Sequence, residues 1–137
     1  NKYTRFYTWN YVPAIAKLGF VPDKILMVWV HGESDSEQLT YATLYYRNFK
    51  AFIERARSDI GVNFPVIITE LKADVRVTWC PYRAIVRTCQ DSIYSLIPNT
   101  YSLSTASETF QADTCHYSDA SYMSIGIRTA TLAYTLK

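Results

Sequence analysis

The stretch KILMVWVHGESD, residues 24–35, joins an apolar run to a polar loop. The near-continuous apolar run from Lys24 to Val30 is typical of a β-strand that is covered on both faces, as in a parallel sheet. It stops at an imidazole, a glycine and two carboxylates. In open parallel sheets, functional side chains lie on loops beyond the carboxyl ends of the strands. The stretch therefore predicts an α/β fold with a candidate site at His31 to Asp35.

Helical and strand periodicities alternate along the rest of the chain. Helices are predicted over Trp9–Leu18, from Tyr41 to near Gly61, over Tyr82–Leu96 and from Ser118 onward, and strands over Val66–Thr69 and Tyr101–Ser104. The last helix carries one apolar stripe and has Ser118 or Asp119 as its N-cap. The stripe consists of Ala120, Met123, Ile127, Ala130 and Tyr134. This order predicts a three-layer α/β/α sandwich with a mainly parallel, flavodoxin-like sheet.

Composition indicates one globular domain of 137 residues, with 49% hydrophobic residues and a net charge of +2. Charges of the two signs are mixed, and the apolar runs fall short of the ~20 residues of a membrane span, so we expect neither a nucleic-acid nor a membrane partner. Cys80, Cys89 and Cys115 are an odd number without metal-ligand spacing, which indicates neither a complete disulfide framework nor a zinc site. The sequence begins without Met, so we expect a processed chain or a fragment.

Both histidines of the chain fall in polar loops that follow predicted strands. Asp113 and His116 are three residues apart across a turn. That spacing lets the carboxylate hold the Nδ1 proton of the imidazole and leaves Nε2 free to accept a proton. An isolated Asp-x-x-His is more often a turn cap beside a partly exposed loop histidine, so the spacing alone is weak evidence for a catalytic pair.

The motifs taken together resemble the SGNH hydrolase superfamily. They are the loop Trp29-Val30-His31-Gly32-Glu33-Ser34-Asp35, a helix with Arg83 and Gln90, and Asp113-x-x-His116 with Gly126 downstream. Within the superfamily the chain is similar to carbohydrate esterases of the sialate O-acetylesterase and acetylxylan esterase type, whose loop usually reads Trp-x-Gln-Gly-Glu-Ser/Ala-Asp. The resemblance runs from about Val21 to Leu136.

The resemblance implies roles for four residues. Asp113 and His116 correspond to two members of a Ser-His-Asp triad, with His116 as general base and then general acid. His31 stands where the family has a Gln or Asn whose N–H helps to hold the oxyanion. A neutral imidazole can also donate one N–H, so His31 can keep this role. Gly32 would let the backbone approach the site closely.

The remaining residues of the two loops have structural interpretations. Glu33 is expected to brace the loop against Arg83 or Arg87, because a buried charge is tolerated only when it is paired. Ser34 and Asp35 are expected to cap the following turn or helix.

Other side chains near the loops are expected to belong to the core. Cys115 is predicted to pack as a small apolar residue. Trp29 and Trp79 could line a sugar site, but aromatic residues at such spacings more often lie in the core.

The nucleophile of the superfamily lies in a Gly-x-Ser-Asn block after the first strand, and this chain has no such block. Its glycines are Gly19, Gly32, Gly61 and Gly126. Ser34, Ser36 and Ser118 do not occupy a strand-to-helix turn that would expose a nucleophile. We therefore expect residues 1–137 to be the C-terminal portion of one SGNH hydrolase-like domain whose N-terminal strand or strands are missing. The strand Lys24–Val30 would then have an unpaired edge, covered by an N-terminal segment or companion chain that carries the serine.

The resemblance implies a serine-dependent ester hydrolase that acts on acetylated carbohydrate and uses no metal or organic cofactor. The sequence leaves the compartment open, and an extracellular, cell-surface or virion-associated setting is the expectation. The absence of the serine block favours an alternative, a catalytically inactive module that binds glycans or has a structural role in a larger surface or virion assembly. A third interpretation is an unrelated doubly wound domain, which predicts that His31 and His116 lie far apart.

Overall fold

The computed structural model describes residues 5–19, 22, 24–72 and 78–136. The helices are α1 (Val12–Leu18), α2 (Leu39–Ile60), α3 (Arg83–Leu96) and α4 (Asp119–Thr135), and the strands are β1 (Met27–Val30), β2 (Val66–Thr69) and β3 (Thr100–Leu103). A π-helical segment, Arg5–Tyr11, precedes α1, and a 3₁₀ turn, Ser34–Glu37, precedes α2. Residues 73–77, between β2 and α3, lie outside the described residues, as does Val21, where the resemblance begins.

The three strands form a parallel sheet in the order β1-β2-β3. Met27 is level with Val66, and Val66 is level with Thr100. The predicted α/β fold with a parallel sheet is therefore confirmed. Because all strands run the same way, the loops that follow Val30, Thr69 and Leu103 emerge at one edge of the sheet.

Side chains of β2 alternate between two cores. Val66 and Ile68 pack in the cluster that α2 and α3 cover, whereas Ile67 packs with Ile125 of α4 and with Tyr117. This alternation places α2 and α3 on one face of the sheet and α4 on the other, which gives the predicted three layers.

The first strand is shorter and more exposed than its sequence predicts. It begins at Met27 rather than Lys24, and the side chains of Val28 and Val30 are 43% and 48% exposed. The prediction that both faces are covered is wrong at Val28 and Val30, and the main contacts of α4 with the described strands are to β2 and β3. Within the described residues β1 pairs only with β2, so its other edge carries no strand.

The last helix presents a different face to the sheet from its apolar stripe. The stripe residues Ala120, Met123, Ile127, Ala130 and Tyr134 are exposed. Ser121, Ile125 and Thr129 face the sheet instead. The predicted N-cap is confirmed, since the Ser118 hydroxyl oxygen accepts a hydrogen bond from the Ser121 N–H at 3.2 Å.

The first predicted helix, Trp9–Leu18, is α-helical only from Val12, because the π-helical segment extends to Tyr11. It ends at Gly19, whose φ of 70° is the left-handed conformation common after helix ends. None of the α1 residues is buried. No helix in the described ranges is long and apolar enough to cross a bilayer.

Candidate active site

Two histidine-bearing loops meet at the carboxyl edge of the sheet. The loop His31–Asp35 follows β1, and the loop Asp113–His116 comes shortly before α4. Cys80 joins them, because its Sγ lies 3.6 Å from the carbonyl oxygen of Glu33 and 3.9 Å from Sγ of Cys115. The fold thus assembles a single polar cluster from distant parts of the sequence.

Asp113 orients the imidazole of His116. Its Oδ2 lies 2.6 Å from Nδ1 of His116, and its Oδ1 accepts the backbone N–H groups of Cys115 at 2.9 Å and His116 at 3.0 Å. The hydrogen bond with the His116 side chain, followed by these two N–H donors, lowers the pKa of Asp113 to about 2. An ionised Asp113 keeps the proton on Nδ1, and no hydrogen bond within the described residues engages Nε2 of His116. Nε2 can therefore accept a proton from a group that approaches it.

The turn between Asp113 and His116 is held in a strained conformation. Thr114 has a φ of 57°, which β-branched residues rarely adopt. Two restraints oppose relaxation: the N–H donors to Asp113 fix one side of the turn, and the buried Cys115 anchors it to the core. Strain of this kind persists where the surroundings hold it, and it is found most often at functional loops.

His31 lies in an aromatic setting with a carboxylate beside it. Its ring centroid is 4.9 Å from that of Trp29 and 5.9 Å from that of Tyr45, and its Nδ1 lies 3.5 Å from Oδ2 of Asp35. The prediction that Asp35 caps the following turn or helix is wrong, because neither the 3₁₀ turn nor α2 has a side-chain cap. A neutral imidazole carries one proton, and a proton directed at Asp35 leaves Nε2 without one. Donation from Nε2 to an oxyanion requires the other tautomer.

A buried glutamine fixes the backbone at His31. Gln90 of α3 donates from Nε2 to the carbonyl oxygen of His31 at 3.0 Å and accepts from the N–H of Leu71 at 2.7 Å, so it ties together the ends of β1 and β2. The Tyr45 hydroxyl donates to the same carbonyl at 3.1 Å and accepts from Nε1 of Trp29 at 3.0 Å. Burial raises the pKa of Tyr45 to about 12, so this hydroxyl keeps its proton. The sequence indicated Gln90 only as part of a family pattern.

Gly32 packs the loop tightly against α3. Its φ is 141°, and a Cβ added there would lie 3.0 Å from Cγ1 of Val86 and 3.4 Å from Nε2 of Gln90. Only glycine fits this conformation and this space. Gly32 was expected to let the backbone approach the site closely. In the structure the backbone at Gly32 lies close to α3.

The predicted brace between Glu33 and an arginine is wrong. Within the described residues neither Arg83 nor Arg87 forms an ion pair with Glu33. Arg87 of α3 pairs at 2.9 Å with Glu70, which follows β2. Glu33 contributes through its backbone instead, since its carbonyl oxygen accepts a hydrogen bond from the Ser36 hydroxyl at 2.5 Å.

As far as the structure describes the chain, the cluster contains neither a serine nucleophile nor a metal site. Ser36 is buried and donates to a backbone carbonyl, while Ser118 caps α4. Ser34 is exposed at the start of the 3₁₀ turn, where the structure gives it no capping bond within the described residues. No serine of the chain forms a hydrogen bond with His116 in these ranges, and no group of three potential metal ligands occurs there.

The two tryptophans near the cluster differ in exposure. Trp29 is partly buried and packs on Phe49 and Phe52, with ring centroids 5.3 and 5.2 Å apart. Trp79 is 45% exposed, and its ring centroid lies 6.4 Å from that of His116. The general expectation of core packing therefore fits Trp29 and is wrong for Trp79.

Comparison with known proteins gives a family and a fold. The family model described as "Carbohydrate esterase, sialic acid-specific acetylesterase" matches residues 14–135. A protein of Arabidopsis thaliana, solved by X-ray crystallography, is similar in structure with a TM-score of 0.66 at 19% sequence identity over 89% of this chain. This chain covers 49% of that protein, about half its length. No curated protein matches the sequence significantly. Since the family model matches most of its length, the chain belongs to the sialic acid-specific acetylesterase family of carbohydrate esterases.

Proposed function

We propose that the chain supplies the acid–base part of a serine-dependent carbohydrate O-acetylesterase. The observation that carries the proposal is the 2.6 Å contact between Oδ2 of Asp113 and Nδ1 of His116, in an exposed loop where no hydrogen bond among the described residues engages Nε2. The match to the carbohydrate esterase family supports ester hydrolysis as the reaction.

In the proposed mechanism His116 acts first as a general base and then as a general acid. Its Nε2 takes the proton of a serine hydroxyl as that oxygen attacks the acetyl carbonyl, and Asp113 stabilises the imidazolium that forms. The tetrahedral intermediate then expels the sugar oxygen, which receives the proton from His116. Water hydrolyses the acetyl-enzyme in a second round of the same steps and releases acetate.

The proposal places the serine on an N-terminal segment or companion chain that adds to the open edge of β1. Two observations support this placement. The structural neighbour is about twice as long as this chain. Val28 and Val30 are half exposed on the strand whose second edge carries no partner within the described residues. A parallel strand at this edge would end beside the loop His31–Asp35, where strand-to-helix turns carry nucleophiles.

In this arrangement His31 and Gly32 lie on the oxyanion side of the acetyl group. Three contacts give His31 a fixed position: its carbonyl is bonded to Tyr45 and Gln90, and its ring is stacked on Tyr45. A positioned donor stabilises a developing oxyanion because it needs no reorganisation during the reaction. His31 takes this role when its proton resides on Nε2.

The test compares acetate release by the protein assembled with its serine-bearing segment. His116→Ala and Asp113→Asn are each expected to lower acetate release from O-acetylated sugars by roughly 10³–10⁴-fold while the fold persists. Asp119→Asn, at an exposed carboxylate on the first turn of α4, is the matched control and should retain activity. Full activity of both site variants would contradict the triad assignment. Glycan binding by the assembled protein without acetate release would favour an inactive binding module instead.

A further inference from the structure

Two buried thiols lie next to each other at the centre of the site. Sγ of Cys80 is 3.9 Å from Sγ of Cys115, and the side chains are 1% and 0% exposed. The two residues are 35 positions apart in sequence. Cys80 follows the exposed Trp79, and Cys115 lies between Asp113 and His116. The pair therefore bridges the segment before α3 and the loop that carries the Asp113–His116 contact.

The surroundings of the pair restrict its chemistry. Nη1 of Arg83 lies 3.5 Å from Sγ of Cys115, and a cation at this distance favours a thiolate. Burial opposes it more strongly and raises the pKa of Cys115 to about 11. Because both sulfurs are enclosed, a soluble oxidant reaches them only before the loop has closed or while it is open.

We propose that Cys80 and Cys115 are a redox pair that forms a disulfide when the protein folds in the presence of a low-molecular-weight disulfide such as oxidised glutathione. The thiolate of one cysteine attacks the glutathione disulfide, forms a mixed disulfide and releases one glutathione thiolate. The thiolate of the other cysteine then attacks the protein sulfur of the mixed disulfide and releases the second. Two protein thiols are oxidised, one glutathione disulfide is reduced to two thiols, and the two protons pass to glutathione or water.

The bond would fasten the Asp113–His116 loop to the body of the domain. A disulfide requires the sulfurs to approach from 3.9 Å to about 2.0 Å. Cys115 is bonded through its N–H to Oδ1 of Asp113, so the link holds the carboxylate as well as the turn. This inference is independent of the proposed esterase reaction, because it requires only the two sulfurs and an oxidant.

The test refolds the protein in a glutathione redox buffer and, in parallel, under a thiol reductant, then blocks free thiols with N-ethylmaleimide. After oxidising refolding we expect an intact mass lower by two hydrogens before blocking, one blocked thiol at Cys89, and a peptide pair linked through Cys80 and Cys115. The oxidised protein should melt roughly 5–15 °C above the reduced protein. Cys89→Ser is the matched control and should keep the bond, the mass change and the melting shift.

Two results would overturn the inference. One is complete blocking of all three cysteines after oxidising refolding. The other is a disulfide that includes Cys89, whose sulfur contacts the carbonyl oxygen of Ala42 on the α2 side of α3. The mass and peptide readouts come from the wild-type chain, so they do not depend on whether a Cys80→Ser or Cys115→Ser variant folds.

Discussion

At the scale of single residues, Asp113 shows how a short turn can set a protonation state. Three donors converge on one exposed carboxylate, two from the backbone of its own turn and one from the His116 ring. Each donor stabilises the ionised form, and because the carboxylate is exposed, little desolvation opposes its charge. The side chain of His116 and the backbone of the turn therefore both lower the pKa of Asp113.

The lowered pKa of Asp113 predicts how the loop responds to acid. Because the folded value of about 2 lies below the usual value of about 3.9, the contribution of Asp113 to stability is complete above the usual value and is lost as the pH falls towards 2. We expect an NMR titration of the Asp113 carboxyl carbon to have its midpoint at about pH 2. His116→Ala should move the midpoint upward, since it removes the largest cause of the shift.

The variant His31→Ala provides the control for this titration, because it removes an imidazole that does not contact Asp113. It should leave the midpoint unchanged. A wild-type midpoint near the usual value of about 3.9 would show that the His116 and backbone contacts are not formed in solution.

Trp79 is the residue we expect to recognise the sugar. Its exposed indole beside His116 offers an apolar face on which a sugar ring can stack. Trp79→Ala should raise KM for an O-acetylated sugar about tenfold, which corresponds to about 1.4 kcal/mol, and should leave kcat nearly unchanged. Trp79→Phe should keep most of the affinity. Steady-state kinetics with an aryl acetate that lacks a sugar serve as control, and an equal rise in KM for both substrates would exclude stacking on the sugar.

At the scale of the elements, two substitutions in α4 test which face of this helix packs against the sheet. Ile125 is 4% exposed and Ile127 is 64% exposed. Ile125→Ala should lower the free energy of unfolding by about 2–4 kcal/mol, because it leaves a cavity against Ile67 and Leu103. Ile127→Ala should change it by no more than about 0.5 kcal/mol. Urea denaturation measures both, and the reverse order would mean that the apolar stripe faces the sheet.

Periodicity predicted the elements well where neighbouring residues decide the structure. The strand β2 has the predicted bounds, β3 lies within one residue of its prediction, and α2 occupies the helical pattern that ends at Gly61. The Asp113–His116 contact was also predictable in its geometry, since it joins residues three apart. The family pattern in the loop after β1 and in the Asp-x-x-His loop was sufficient to indicate the carbohydrate esterase family.

Features that depend on distant contacts were not predictable from the sequence. The contact between Cys80 and Cys115 joins the segment before α3 to the loop before α4, and no local pattern encodes it. Arg87 pairs with Glu70 rather than Glu33 because the fold brings the end of β2 to α3. Hydrophobicity likewise does not say which face of α4 meets the sheet, since two of its three buried residues carry hydroxyl groups.

At the scale of the whole molecule, the open surfaces of the sheet support a two-part enzyme. One edge of β1 carries no strand within the described residues, and Val28 and Val30 are half exposed beside it. An exposed apolar edge strand favours association with another strand, and natural proteins usually cover such edges. The proposed serine-bearing segment would both cover this edge and supply the serine that the site needs.

Intact mass spectrometry after treatment with a serine-directed fluorophosphonate tests this account most directly. The protein is prepared with its N-terminal segment or any co-purifying polypeptide, in wild-type and His116→Ala forms. We predict one label on a serine outside residues 1–137 in the wild-type sample and little or none in the variant, because only a serine that His116 activates reacts readily. An unlabelled wild-type sample, or a label that His116→Ala leaves unchanged, would contradict the claim that His116 and Asp113 serve a serine nucleophile.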